Sequence, residues 1–258
     1  MKGKLAVCGA LICAFLLGGC GPAYVPEPTE TIPPNQYAPE DFRLEDGFLS
    51  CLTAPAVLGI DVSRYQGEID WQQVKAAGVE FVMVRLGNRG IAEGTLHEDP
   101  LAKMNLQTAK AAGLKVGAYF YSQAVSVAEA EEEAAFALEI LDDFQLDMPL
   151  AFDWEQESRT ENVDARTLTD CTKAFCDAVS LAGYRPMIYF NSFQAKELLH
   201  LRELKEIPWW LAMYDVTMEF PYRMDMWQYS CTGTIPGISG SVDLNLLFVD
   251  EFEYLNFQ

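Results

Sequence analysis

From about Val57 onward the chain alternates between two hydrophobic periods. Short runs of β-branched and aromatic residues recur, and between them apolar residues return every three or four positions. The segments "AAGVEFVMVRLG" (76–87), "AAGLKVGAYFYS" (111–122) and "LAGYRPMIYFNS" (181–192) each read as a helix end, a glycine suited to a left-handed cap, then a strand. Gly78 and Gly113 are 35 residues apart, and Gly113 and Gly183 are 70 apart, twice that spacing. A further copy is expected near position 148, where "MPLAFDWE" stands with Pro149 as the punctuation. The series begins with the strand "AVLGIDVS" (56–63).

Helical periodicity fills the gaps at 71–77, 101–112, 128–144, 165–182 and 193–199. After the fifth unit the spacing shortens. "PWWLAMYD" (208–215), "MDMWQYS" (224–230) and "VDLNLLF" (242–248) follow one another with little room for helices. Eight strands, five followed by helices and three nearly bare, predict a TIM-barrel-like α/β domain, (β/α)5(β)3, rather than an open doubly wound sheet. No Gly-rich phosphate loop follows any strand, and "GNRG" (87–90) reads as a turn.

The N-terminus departs from this pattern. Lys2 and Lys4 precede an apolar stretch from Leu5 to Leu17, and small residues then lead to Cys20, so residues 1–19 read as an export signal. "LGGC" resembles the lipobox of bacterial lipoproteins, which implies cleavage before Cys20 and acylation of its thiol. Residues 20–55, rich in Pro and acids, read as a solvated tether, and the folded domain is expected over 56–258. The expected protein is exported, anchored to the membrane only through its N-terminal lipid, and monomeric.

Composition narrows the function. A formal charge of -20 disfavours nucleic acid and suits an uncharged substrate. The densest acidic run, Glu129 with Glu131 to Glu133, sits above an apolar helical stripe and reads as a solvated face. His97 and His200 are isolated, no Cys or His spacing fits a metal site, and Cys51, Cys171, Cys176 and Cys231 read as mostly free thiols. No cofactor is implied. Serine, cysteine and metal hydrolysis lack their motifs.

What remains is carboxylate chemistry. Asp153 and Glu155 end an apolar run and share one side of a strand, about 6–7 Å apart. No Lys or Arg occurs between Gly117 and Arg159 to neutralise them. Asp61, Asp215 and Asp243 fall at the expected strand ends, where parallel barrels carry their sites; Asp215 also reads as a loop cap. Paired acids held in different protonation states suit glycoside hydrolysis. Tyr119, Tyr121, Tyr189, Trp209, Trp210, Tyr214, Trp227 and Tyr229 crowd these strands, and of them Tyr119, Tyr189, Tyr214 and Trp227 are the candidate sugar-contacting rings.

In order along the chain, "GIDVSRYQGEIDWQQVKAAGVEFVMVRLG", "GAYFYSQAVSVAEAEEEAAFAL", "PLAFDWE", "RPMIYFN", "WWLAMYD" and "MWQYSCTGTIPGISGSVDLN" resemble the blocks of the glycoside hydrolase family 25 lysozymes. The resemblance covers about residues 58–248 and implies an N-acetylmuramidase that cuts the β-1,4 bond between N-acetylmuramic acid and N-acetylglucosamine in peptidoglycan. By motif position it implies Glu155 as proton donor, Asp153 as the partner that stabilises the cation or orients the substrate's acetamido group, and Asp61 and Asp243 as further site acids. Two departures stand out: Trp154 is bulky for the position between the acids, and "GAYFYSQA" lacks a histidine common in the family. Net retention is expected through the acetamido group. The alternatives are a non-catalytic peptidoglycan-binding lipoprotein and another acetamido-sugar glycosidase such as a chitinase.

Overall fold

The computed structural model describes residues 31–214 and 219–249. The chain divides into two units, Met1–Thr31 and Ile32–Gln258, and every element named below belongs to the second. In chain order these are β1 (Phe42–Glu45), β2 (Phe48–Cys51), β3 (Ala56–Val62), α1 (Trp71–Ala76), β4 (Phe81–Arg89), β5 (Leu96–Glu98), α2 (Ala102–Ala111), β6 (Lys115–Ser122), α3 (Val127–Leu141), β7 (Leu150–Trp154), α4 (Ala165–Leu181), β8 (Pro186–Asn191), α5 (Ser192–Glu197), β9 (Trp209–Ala212), β10 (Met226–Gly233) and β11 (Val242–Phe248).

Strands β3, β4, β6, β7, β8, β9, β10 and β11 form one sheet that closes on itself through β3, which pairs with both β4 and β11. The eight barrel strands and five crossover helices are those the periodicity predicted. The first seven barrel strands run parallel, while β11 is antiparallel to both β10 and β3. Helices start where side chains can accept the orphan amides: Asp70, Ser126, Asp164 and Asn191 cap α1, α3, α4 and α5.

Alternation along each strand separates two cores. Phe81, Met83, Met187, Met226 and Leu247 fill the barrel interior. Val82, Phe120, Phe152, Phe175 and Phe190 lie in the layer between strands and helices. Gly59 is required inside, because a Cβ there would lie 2.1 Å from the Phe81 ring. Trp154, the bulky residue between the two acids, belongs to the outer layer, where its Nε1–H donates to Ala124 O at 2.9 Å.

The expectation of a solvated tether up to residue 55 is overturned for residues 32–52. "LEDGFLS" forms a hairpin in which Glu45 pairs with Phe48, and the two intervening residues, Asp46 and Gly47, have φ of 52° and 87°. A two-residue turn with both φ positive is the preferred hairpin connection, and Asp-Gly is one of its strongest sequence signals. The segment packs because, among the described residues, no helix follows β9, β10 or β11 to cover their outer faces. Tyr37 stacks on Phe248 at 4.5 Å, Phe42 meets Trp227 edge-on at 5.1 Å, and Leu49 is only 4% exposed. The Leu49 N–H donates to the Tyr229 hydroxyl, and Arg223 N–H donates to Pro33 O.

The acidic run on α3 also departs from expectation. Glu131 and Glu132 face solvent, but Glu133 is 0% exposed and accepts from Arg89 Nε at 2.8 Å and from the Gln123 N–H. Arg89 draws it inward from β4. The four described cysteines are free thiols.

Candidate active site

β7 carries its apolar run, Leu150 to Phe152, to the rim and ends in Asp153 and Trp154. Asp153 points into the barrel, in phase with Ala151 of the inner core. Glu155 follows directly, with its backbone carbonyl held by Gln123 Nε2 at 2.9 Å and Thr160 Oγ1 at 3.1 Å. These bonds stop the strand and leave the Glu155 side chain beside Asp153. Both line a polar cavity of about 220 Å3, together with Asp61 and Asp243.

Asp61 comes from the end of β3 and Asp243 from the start of β11. Asp243 was expected at the carboxyl end of a strand, and the structure corrects this. It reaches the same rim because β11 runs backwards, which places it opposite Asp61 in the sheet register. A larger, mainly apolar recess of about 1000 Å3, lined in part by Leu199, Leu201, Phe220 and Tyr222, contains none of the four acids. Asp215 and Cys20 lie outside the described residues.

Burial dominates the electrostatics. The Asp153 carboxyl, 5% exposed, is raised well above the usual carboxylate range, first by desolvation and then by the charges of Glu155 and Asp61. Glu155 is raised by burial, then by Glu157 and Asp243. Asp61 is raised well above its ordinary value by burial and by Asp243, and Asp243 is itself raised by burial. A nearby cation opposes the shift of Asp153. Arg85, a charge inside the apolar strand β4, lines the cavity, favours the ionised form of Asp153, and is held by Asp99 through Nε at 3.0 Å and Nη2 at 2.7 Å.

A hydrogen-bond network beneath the acids fixes Asp61. Gln228 Nε2 and Asn245 Nδ2 each donate to Asp61 Oδ2 at 2.8 Å. Gln228 Oε1 accepts from the hydroxyls of Tyr189 at 2.9 Å and Tyr214 at 2.8 Å. Trp210 Nε1 donates to Asn245 Oδ1 at 2.8 Å, and its ring meets those of Tyr119 and Tyr189 edge-on. Asp153 Oδ1 is buried and has no hydrogen-bond partner among the described residues. Among the described residues no group of His, Cys, Asp and Glu is arranged to hold a metal ion.

Of the expected sugar-contacting rings, Tyr119, Tyr189 and Tyr214 line the cavity. Trp227 does not. It is 0% exposed on the outer face of β10, where its Nε1–H donates to Met213 O at 2.7 Å under the cover of Phe42. Alternation turns its neighbour Gln228 inward instead. Sequence reasoning passed over Gln228 and Arg85, and counted Trp210 among the strand aromatics without choosing it as a site residue. Only Arg85 carried a visible signal, as a lone charge within "FVMVRLG".

Residues 60–238 match the glycosyl hydrolases family 25. The chain belongs to this family. Among curated relatives of this family 25 chain, "Uncharacterized protein YegX" of Escherichia coli O157:H7 is 32% identical over 197 residues, covering 73% of this chain and 68% of that one. "Autolytic lysozyme" of Clostridium acetobutylicum is 30% identical, covering 72% of this chain and 54% of its own length. The modular autolysin LytC of Streptococcus pneumoniae superposes with a TM-score of 0.67 at 26% identity, over 80% of this chain. The family 25 chain spans only about half of that autolysin, 51%. The family 25 hydrolase of Bacillus anthracis, at 17% identity and a TM-score of 0.64 over 97% of its length, shares the fold.

Proposed function

We propose that the protein is a peptidoglycan hydrolase, an N-acetylmuramidase that cuts the β-1,4 bond between N-acetylmuramic acid and N-acetylglucosamine with net retention. The observation that carries this reading is the convergence of Asp153 and Glu155, from one strand end, on a buried polar cavity walled by tyrosines. Relatives bearing the names autolytic lysozyme and autolysin, and the solved complex of the pneumococcal autolysin with a synthetic peptidoglycan ligand, support the choice of substrate.

In this mechanism Glu155, whose pKa is raised by burial, gives its proton to the glycosidic oxygen as the bond from the sugar C1 breaks. The acetamido oxygen of the same sugar closes on C1 from the opposite face, forming an oxazolinium ring. Asp153 Oδ1, buried and unpartnered among the described residues, accepts the acetamido N–H, and its ionised form, which Arg85 favours against the burial that raises its pKa, balances the developing positive charge. Glu155, now a carboxylate, takes a proton from water as that water attacks C1, and the acetamido group is regenerated with the original configuration. Asp61 and Asp243 hold the negative potential of the cleft and the orientation of the sugar.

The N-terminal segment, outside the described residues, is assigned as an export signal with a lipid anchor at Cys20. The barrel would then act on the wall from the membrane surface. The test is dye release from purified walls by the wild type and by Glu155→Gln. Release by the wild type alone, with muramic reducing ends by mass spectrometry and the retained anomer by early proton NMR, is expected. Equal release by both proteins, or an inverted anomer, defeats the corresponding part of the assignment.

A further inference from the structure

The β1–β2 hairpin lies before residue 60, outside the segment that matches the family. Its position is fixed rather than loose: the Asp46-Gly47 turn is tight, Leu49 is buried, and the Leu49 N–H bonds the Tyr229 hydroxyl. Between the hairpin and the end of β10 lies a further cavity, of about 400 Å3, bounded by Asp46 and Phe48 on one side and by Ser230, Thr232 and Thr234 on the other. That volume is within the range of about 300–1,000 Å3 typical of small-molecule sites.

Tyr214 belongs to both cavities. Its hydroxyl is anchored on Gln228 beneath the acids, while the residue is 53% exposed. The two recesses are therefore neighbours that share one ring as a wall. We propose that the hairpin adds a saccharide subsite to the cleft, which holds a further sugar of the glycan strand beyond the bond being cut. This rests on the glycan-hydrolase reading above.

The chemistry of the walls favours a sugar over a stem peptide. Hydroxyls of Ser230, Thr232 and Thr234 and the Asp46 carboxylate offer hydrogen bonds to sugar hydroxyls, and the rings of Phe48 and Tyr214 offer apolar faces. No Lys or Arg is among the described residues lining this cavity, and a peptide rich in carboxylates would meet only the like charge of Asp46.

The variant Thr234→Trp places a large ring in the recess from an exposed position. On peptide-free glycan strands, the wild type is expected to cleave an octasaccharide with higher kcat/KM than a tetrasaccharide. Thr234→Trp should lower kcat/KM on the octasaccharide roughly tenfold, through KM, and leave the tetrasaccharide unchanged. Phe48→Ala should act in the same direction. Equal loss on both lengths, or no loss on either, overturns the subsite. A loss seen only with peptide-bearing strands assigns the recess to the stem peptide and also overturns it. Binding of the octasaccharide to Glu155→Gln, with and without Thr234→Trp, reads the subsite independently of turnover. If the wild type cleaves nothing, the enzyme reading fails, while Thr234-dependent binding of the octasaccharide still decides the subsite.

Discussion

Asp243 stands opposite Asp61 across the antiparallel pairing of β11 with β3, and both carboxyls line the same cavity. Two acids from opposite ends of the sequence thus form one electrostatic unit, and burial makes full ionisation of both costly. The folded pKa values of both lie above their ordinary ones. As pH rises, the unfolded chain loses these protons first, from about pH 4. The folded state then binds more protons, and stability falls as pH climbs through the raised values.

Asp61→Asn should remove that penalty, since an amide can still accept from Gln228 and Asn245 and donate to Asp243. Relative to wild type, the variant is expected to gain about 1–2 kcal/mol at pH 7. The advantage should shrink as pH falls through about 4 and vanish about two units lower, where Asp61 is neutral in both states. Urea unfolding at a series of pH values measures it. An advantage independent of pH would show that titration of Asp61 is not its cause.

Glu155→Gln keeps the shape of the site but cannot donate a proton. A loss of about 10²–10⁴ in kcat is expected. In the wild type, burial raises the Glu155 pKa, so activity should hold at mildly acidic pH and fall as pH rises through that value. A kcat–pH profile checks both statements, and an alkaline limb at the ordinary carboxylate position would contradict the burial argument.

Gln228 is the hub between Asp61, Tyr189 and Tyr214. Gln228→Leu removes a donor to the charged form of Asp61 and the acceptor of two hydroxyls. A stability loss of about 1–3 kcal/mol is expected from the orphaned groups. Activity should fall by roughly tenfold or more as the rings and the acid lose their alignment. Unfolding curves and wall-digestion kinetics on the same preparation would show whether the two losses travel together.

Leu49 and Leu44 sit on the same hairpin, one buried and one exposed. Leu49→Ala should cost about 2–4 kcal/mol, and Leu44→Ala within about 0.5 kcal/mol of nothing. Equal and negligible effects in denaturant titrations would restore the tether that the composition of this segment suggested.

Arg89 is buried against Glu133 and also bonds Glu132 and the Glu129 carbonyl. Arg89→Met would leave Glu133 buried without its cation and should destabilise the domain by about 3–5 kcal/mol. Pairing this change with Glu133→Leu should recover part of the loss, and differential scanning calorimetry on the single and double variants tests it.

Hydrophobic period and glycine punctuation determined the eight barrel strands and five helices, because a buried strand and an amphipathic helix each need their own spacing of apolar residues whatever their neighbours are. The same alternation placed Asp153 and Glu155 on one side of β7, a relation local to three residues. The direction of β11 was decided only by closure of the barrel, and with it the meeting of Asp243 and Asp61. Likewise, Trp210 faces the site and Trp227 the outer layer, since alternation sets only relative facing and the sheet must fix the phase of each strand. Arg85 reaches the acids from a strand far away in sequence. The segment read as a tether became a covering hairpin because three strands, followed by no helix among the described residues, left apolar faces that the hairpin buries.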